Sequence, residues 1–255
     1  MFTFPFTNFA SAGYENVLST TFNGVDEYID CGQDASLKFE HTDSFSCSAW
    51  VKHDSLSGDQ VYFCTLDPAD GYSGIQFSKR ATSSRIYIAL VGNIPNPGGS
   101  IGIEGHQALA LDTWHHVAFT YDGTGPNTGK PAALKLYLDG AVQTPTVVLN
   151  TSLSTSIISA LPMNLGRRPP SLYYMNGHID ESAFWDKELS QSEITEIYNS
   201  GVPADLTAQS HAANLIAYWR MGDGDSATTI TDNVGPNDGT LTNMDDSNYI
   251  EDVPS

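Results

Sequence analysis

Trp114-His115-His116-Val117-Ala118-Phe119-Thr120-Tyr121-Asp122-Gly123 alternates side-chain character and stops at an Asp-Gly turn. Val117, Phe119 and Tyr121 fall on one side of a pleated strand, and His116, Ala118 and Thr120 on the other. The same period of two recurs on both sides of this stretch. Upstream it runs through Ser46–Val51, Gln60–Cys64, Gly74–Phe77 and Arg85–Leu90; downstream through Ala133–Leu138, Met163–Gly166, Gly177–Trp185 and Leu215–Arg220. Ser57-Gly58, Asn96-Pro97-Gly98-Gly99, Asp122-Gly123 and Asp139-Gly140 punctuate the runs. Many short strands separated by turn residues indicate an antiparallel sandwich or barrel.

One segment breaks the pattern. Ser190-Gln191-Ser192-Glu193 spells a capping box, with Leu189 and Ile194 placed for a hydrophobic staple. Ile194, Ile197 and Tyr198 form one apolar face, and Gly201 and Pro203 read as the stop. The spacing predicts a helix of about three turns covering a sheet end or edge.

The chain has 255 residues, with 11 Lys and Arg against 30 Asp and Glu, a net charge of −19. Such a balance repels a phosphate backbone, which argues against nucleic acid as a partner. An apolar content of 40% supplies a full core, which argues against disorder. No window approaches the length of a membrane-spanning helix. The Met1–Ala10 segment lacks the basic and apolar regions of a secretory signal, so either the chain is a mature form or it leaves its cell by another route, such as lysis or assembly into a particle. Cys31, Cys47 and Cys64 show no metal-binding spacing. Cys47 and Cys64 lie on strands that could pair as a hairpin; either they bridge or all three are buried thiols.

Several stretches, in order, resemble the laminin-G-like, concanavalin-A-type jelly rolls. Phe22-Asn23-Gly24-Val25-Asp26-Glu27-Tyr28-Ile29 is similar to the family's opening strand, and Phe45–Val51 to the next. Trp114–Gly123 with Leu136–Gly140 is similar to its central signature, and Gly177–Glu181 with Leu189–Tyr198 to its closing strand and helix. The resemblance covers residues 20–202. It implies an all-β, antiparallel two-sheet jelly-roll sandwich with one short helix. Its members include lectins, adhesins, glycan-cleaving enzymes and spacers, so the fold alone does not assign function. The organisation expected is an N-terminal arm (1–20), a laminin-G-like domain (21–202) and a C-terminal extension (203–255) adding a strand or a partial repeat. The extension, Asn214–Gly224 with Asn237–Thr242, is similar to the segment that usually precedes the opening strand. It also resembles laminin-G-like proteins of tailed phages and marine viruses.

The resemblance implies a structural calcium ion joining a loop near the first strand to an acid of the closing strand. The matching residues are Asn23, Gly24 through its carbonyl, Asp26 and Asp180. The alternative is that both carboxylates accept backbone hydrogen bonds. Asp223-Gly224-Asp225-Ser226 resembles half a calcium loop but lacks EF-hand spacing, so a solvated turn is the simpler reading.

Glycan cleavage needs two carboxylates flanking one bond. Asp180 and Glu181 are adjacent and would point to opposite faces of a strand, while Asp186 and Glu188 fall in a turn. No nucleophile elbow accompanies His115 and His116, which read as packed fold residues. A sugar site needs aromatic platforms with amide and charged groups. Tyr72, Tyr173, Tyr174, Asn93, Asn96, Asn176 and Arg168 supply these, most densely in Arg167–Tyr174. The same tyrosines could instead pack under the loop or face a subunit.

These readings converge on a non-enzymatic surface module at a virion surface or outside the cell. It is expected to bind glycan through Arg168, Tyr173, Tyr174 and Asn176, or to dock on neighbouring subunits or its own copies. Phe2, Phe4, Phe6 and Phe9 offer a docking arm. The other reading is a secreted carbohydrate-binding module or a glycan-active enzyme of the same fold.

Overall fold

The computed structural model describes residues 14–92 and 99–255. The arm phenylalanines and the candidates Asn93 and Asn96 lie outside the described residues. The strands run β1 (Ser19–Asn23), β2 (Tyr28–Asp30), β3 (Phe45–His53), β4 (Gln60–Cys64), β5 (Gly74–Lys79), β6 (Arg85–Val91), β7 (Ser100–Ala108) and β8 (His115–Tyr121). They continue as β9 (Leu134–Leu138), β10 (Ala141–Val142), β11 (Thr146–Asn150), β12 (Asn164–Leu165), β13 (Asn176–Trp185), β14 (Leu215–Trp219), β15 (Thr229–Ile230), β16 (Gly239–Thr242) and β17 (Tyr249–Ile250).

Every ladder between these strands is antiparallel, and two sheets result. The first has the order β10-β9-β8-β3-β13-β1-β17, with β14 also paired to β13. The second runs β11-β7-β6-β5-β4-β12-β2-β16-β15. The expected two-sheet jelly-roll sandwich is what the chain forms. Its core follows the alternation: Val117, Phe119 and Tyr121 of β8 are buried with Ile75, Phe77, Ile86, Ile88 and Leu90 of β5 and β6. Aromatic edges lock the layer, with Phe77 against Phe119 at 5.2 Å and Phe63 against Phe184 at 5.0 Å between ring centroids. The intervening residues of β5 and β6, among them Gln76, Tyr87, Ala89 and Val91, face outward from the second sheet.

The structure corrects three details. Phe22–Ile29 is not one strand: β1 lies in the first sheet, the chain turns at Asn23–Glu27, and β2 enters the second. Gly24 makes that turn at φ 74°, and a Cβ there would lie 2.7 Å from Cβ of Asn176. Cys47 and Cys64 do not face one another as a hairpin, because β3 and β4 belong to different sheets; all three thiols are buried and free.

The third detail is the helix. It spans Gln191–Tyr198, with the capping box of Ser190 and Glu193 formed, and is shorter than three turns. Asn199 and Ser200 adopt left-handed conformations (φ 44° and 60°), so the helix ends before Gly201. Leu189, Ile194 and Ile197 are buried in one cluster with Ala118, Tyr137, Trp185 and Tyr218 on the outer face of the first sheet.

Residues 203–255 enter both sheets: β14 pairs β13, β16 pairs β2 and β17 pairs β1. Asp232 holds their turn together, accepting from the backbone N–H groups of Tyr218 (2.9 Å), Val234 (3.1 Å) and Asn237 (3.0 Å). No helix among the described residues is long and apolar enough to cross a membrane.

Candidate functional site

The loop between β12 and β13 carries the densest sequence candidates, and the structure separates its two arginines. Arg167 is half-buried and already partnered. Its guanidinium lies 3.3 Å from the centroid of the Tyr28 ring and donates to Asn164 Oδ1 (2.6 Å) and the Pro170 carbonyl (2.9 Å). Arg168 faces outward over the second sheet. Reciprocal backbone bonds between Arg168 and Leu172 (2.8 and 3.0 Å) close the loop around a cis Pro169–Pro170 bond. The Arg168 guanidinium sits between two rings, 4.8 Å from Tyr72 and 5.5 Å from Tyr173.

Two grooves flank this loop. One, of about 340 Å³, is walled by Tyr72, Tyr87, Arg80, Arg168 and Tyr173 over a floor of Ala89, Val91, Leu66 and Leu149, with Gln76, Ser100 and Asp59 as polar groups. Arg80 lies 5.0 Å from the Tyr87 ring and pairs with Glu104 at 3.4 Å. The other groove, of about 580 Å³, is lined by Tyr173, Tyr174, Asn176, Gly24, Val25 and residues of the 55–60 loop. Tyr173 and Asp59 line both grooves. The four residues assigned to ligand by sequence are therefore divided: Arg168 and Tyr173 face the first groove, and Tyr173, Tyr174 and Asn176 the second.

The loop bearing Asp59 is fixed from below. Lys79, fully buried, donates through Nζ to the Leu56 and Gly58 carbonyls, each at 2.7 Å. Gln60 accepts from the Asn176 backbone (3.0 Å) and donates to the Ser55 and Ser57 carbonyls (2.6 and 3.1 Å). The rim is thus positioned before any ligand arrives. Tyr87, Arg80 and Asp59 were not singled out in the sequence. Tyr87 was within reach of the alternation, since its neighbours Ile86 and Ile88 point to the core and turn it outward.

The proposed calcium residues are not brought together. Asn23, Gly24 and Asp26 share a turn closed by its own bonds: Asn23 Nδ2 donates to Asp26 Oδ1 (2.9 Å), and Asn23 Oδ1 accepts from Val25 N (2.8 Å). Asp180 lies elsewhere on the ladder. Asn23 faces Asn176 and Thr20 faces Ile179, which places Asp180 level with Ser19. Four residues of strand, about 13 Å at 3.3 Å per residue, separate it from Asn23. Among the described residues, no three or more His, Cys, Asp or Glu side chains are grouped to hold a metal ion.

Asp180 instead forms a buried pair with Glu181, and here the opposite-faces expectation fails. A bulge interrupts the β13–β3 register between Asp180 and Ala183, and Glu181 takes a left-handed conformation at φ 46°. Both carboxylates are consequently buried, 0% and 3% exposed. Burial, together with the neighbouring Glu181 charge, raises the Asp180 carboxyl well above its ordinary range. Burial pushes Glu181 up to about 7, against opposing bonds from Tyr218 and Arg220. Asn16 donates to Asp180 at 2.8 Å, Tyr218 donates to Glu181, and Arg220 pairs with Glu181 at 3.4 Å. Arg220 also pairs with Asp223 at 2.9 Å. The Asp223–Ser226 turn is thus partly tied down: Asp223 accepts from Val17 N (3.1 Å) and Asp225 from Gly222 N (2.8 Å) and Thr231 N (2.7 Å).

The signature histidines are structural. His115 bonds Asp139 at 2.9 Å and accepts from Ala110 N at 3.1 Å; His116 is fully buried against Trp50 and Tyr198.

Two antiparallel sheets with a short helix on the outside of one define a jelly-roll sandwich, with an aromatic cleft on the outside of the other. The profile of the Concanavalin A-like lectin/glucanases superfamily matches residues 23–195, and the chain belongs to that superfamily. Among solved structures, a Bacteroides ovatus protein provisionally described as carbohydrate-binding is similar at 15% identity with a TM-score of 0.64. The match covers 94% of this chain and 62% of that one, so this chain spans less than two thirds of its length. A heptameric SAP-like pentraxin from Limulus polyphemus is similar at 12% identity with a TM-score of 0.50, covering 72% of this chain and 82% of that one. At such identities the likeness is one of fold. No curated protein matches the sequence.

Proposed function

We propose that this protein is a non-enzymatic glycan-binding module whose ligand lies along the grooves on either side of the Arg168–Tyr174 loop. The observation that carries this reading is the outward-facing triad of Tyr72, Arg168 and Tyr173. Tyr72 and Tyr173 are 43% and 37% exposed. Large rings left open to water on two adjoining loops suit stacking on the apolar face of a pyranose. Gln76, Asp59 and Arg168 supply the donors and acceptors that sugar hydroxyls require. The description of the Bacteroides ovatus relative agrees with this reading.

The adjacent carboxylates that could suggest hydrolysis are shielded from solvent and do not line the cleft outside them, whose own carboxylates, Glu15 and Asp205, belong to other segments. This supports binding over cleavage. The setting belongs to the same proposal: display on a particle surface or outside the cell, with docking on neighbouring subunits or on further copies of this chain. It rests on the resemblance of residues 203–255 to viral laminin-G-like proteins. Light scattering tests the assembly, and a monomer at working concentration would count against docking between copies.

A glycan array followed by titration calorimetry tests the binding itself. Wild type is expected to bind a subset of glycans, and Tyr173→Ala to weaken that binding about 10-fold or more. A folded wild-type protein that binds nothing on the array would sink the reading.

A further inference from the structure

We infer that the Arg168 end of the cleft is an anion subsite, built for an isolated acidic group on an otherwise neutral glycan. This rests on the glycan-binding reading above and narrows it. The other arginines of known partner have oxygen acceptors: Arg80 has Glu104, Arg220 has Glu181 and Asp223, and Arg167 has Asn164 and Pro170. Arg85 has no carboxylate among the described residues but lines neither groove. Arg168 does line the first groove, and no described carboxylate pairs with it. Its Nε is shielded from solvent and has no acceptor.

The rings of Tyr72 and Tyr173 hold the guanidinium in place through their π faces. A π face gives a planar N–H fork no oxygen to bond. Such a fork matches a carboxylate or a sulfate, which accept two parallel hydrogen bonds. In a chain carrying 30 acidic residues, several other cations also lack a carboxylate among the described residues, but of these Arg168 is the one that lines either groove.

The same charge pattern sets the density of acid the ligand can carry. A net charge of −19 repels a dense polyanion over a Debye length of about 10 Å at 0.1 M salt. Asp59, which lines both grooves, adds to that repulsion. A single acidic unit gains the contact with Arg168 and meets little of the long-range field. Carboxylate and sulfate share this chemistry, and the experiment separates them.

Titration calorimetry would compare four probes: a neutral oligosaccharide bearing one terminal glucuronic acid, its methyl ester, the same oligosaccharide with one sulfate in place of the acid, and heparin. Wild type is expected to bind the free acid about 10-fold more tightly than the ester, the value of one charge-assisted contact. Arg168→Gln is expected to bring acid and ester together, with the ester itself bound more weakly than by wild type; an acid preference kept by the variant would overturn the assignment to Arg168. A sulfate arm equal to the acid assigns the subsite to charge, and a weaker one to the planar carboxylate. Equal binding of acid and ester by wild type would overturn the anion subsite and leave glycan binding standing. Heparin as the tightest probe would overturn the isolated-acid claim. Failure of every probe, alongside an array without hits, would remove the glycan reading itself. Should Arg168→Gln fail to fold, the wild-type comparison of acid and ester decides alone.

Discussion

Tyr72 and Tyr173, the two rings around Arg168, both occupy the left-handed backbone region, at φ 68° and 56°. A bulky side chain there costs of order 1 kcal/mol or more. Neither ring recovers that cost by burial, since both stand partly in water. Tyr72→Gly would relieve the conformation and remove the ring together. The expected outcome is a melting temperature unchanged or slightly raised, with glycan affinity lowered, read by calorimetry on the same sample. A clear loss of thermal stability would mean that the ring packs rather than binds. Glu181 makes the opposite case, a strained residue that is buried. Its carboxyl titrates near 7 in the fold, against about 4.5 when free. The folded chain therefore holds more protons than the unfolded chain between these values. The contribution of this group to stability is greatest below about 4.5 and is lost as pH rises toward 7, by at most about 1.4 kcal/mol per pH unit. Urea midpoints measured from pH 4.5 to 7.5 should fall more steeply for wild type than for Glu181→Gln. Parallel curves would show that burial does not raise the Glu181 carboxyl.

At the level of single elements, the helix is the part most fully spelled out by local residues. Ser190 and Glu193 bond as a reciprocal cap, and Leu189 and Ile194 bury together. Ser190→Ala should cost about 1 kcal/mol, measured by urea unfolding, with no change in glycan affinity because the helix covers the other sheet. The strands were legible for the same kind of reason: in β8 and β6, alternation tells the inner face of the sheet from the outer. What escaped the sequence depends on backbone conformation or on distant partners. Nothing in Asp180-Glu181 announces a left-handed glutamate, so two acids expected on opposite faces became one buried pair. Asn199 and Ser200 took over the stop expected of Gly201. Phe22–Ile29 reads as one strand because each half is apolar enough for either sheet. The candidate loop was visible as a clustering of Tyr and Arg, and Tyr72 was among the candidates, but Arg80, Tyr87 and Asp59 come from other loops and strands, and only the register of the second sheet brings them to it.

On the scale of the whole molecule, the last strands act as fasteners between segments far apart in sequence. Asp252 accepts from Trp114 Nε1 at 3.0 Å and from Lys52 Nζ at 2.7 Å, and its carbonyl accepts from Ser19 at 2.6 Å. Asp252→Ala should lower stability by about 1–2 kcal/mol, read as a shift of the denaturant midpoint, because it leaves a half-buried Trp N–H and an ammonium without their acceptor. The pairing of β17 with β1 carries one more consequence. Ser19 stands opposite Ile250, at the far end of β1 from the Asn23–Glu27 turn that borders the second groove. Chain attached before Ser19 and chain attached after Ile250 therefore depart from the same corner, away from that groove. Copies strung in tandem, or tethered to a scaffold through either corner, would keep their grooves unobstructed, and weak single-site contacts could add up to tight multivalent attachment.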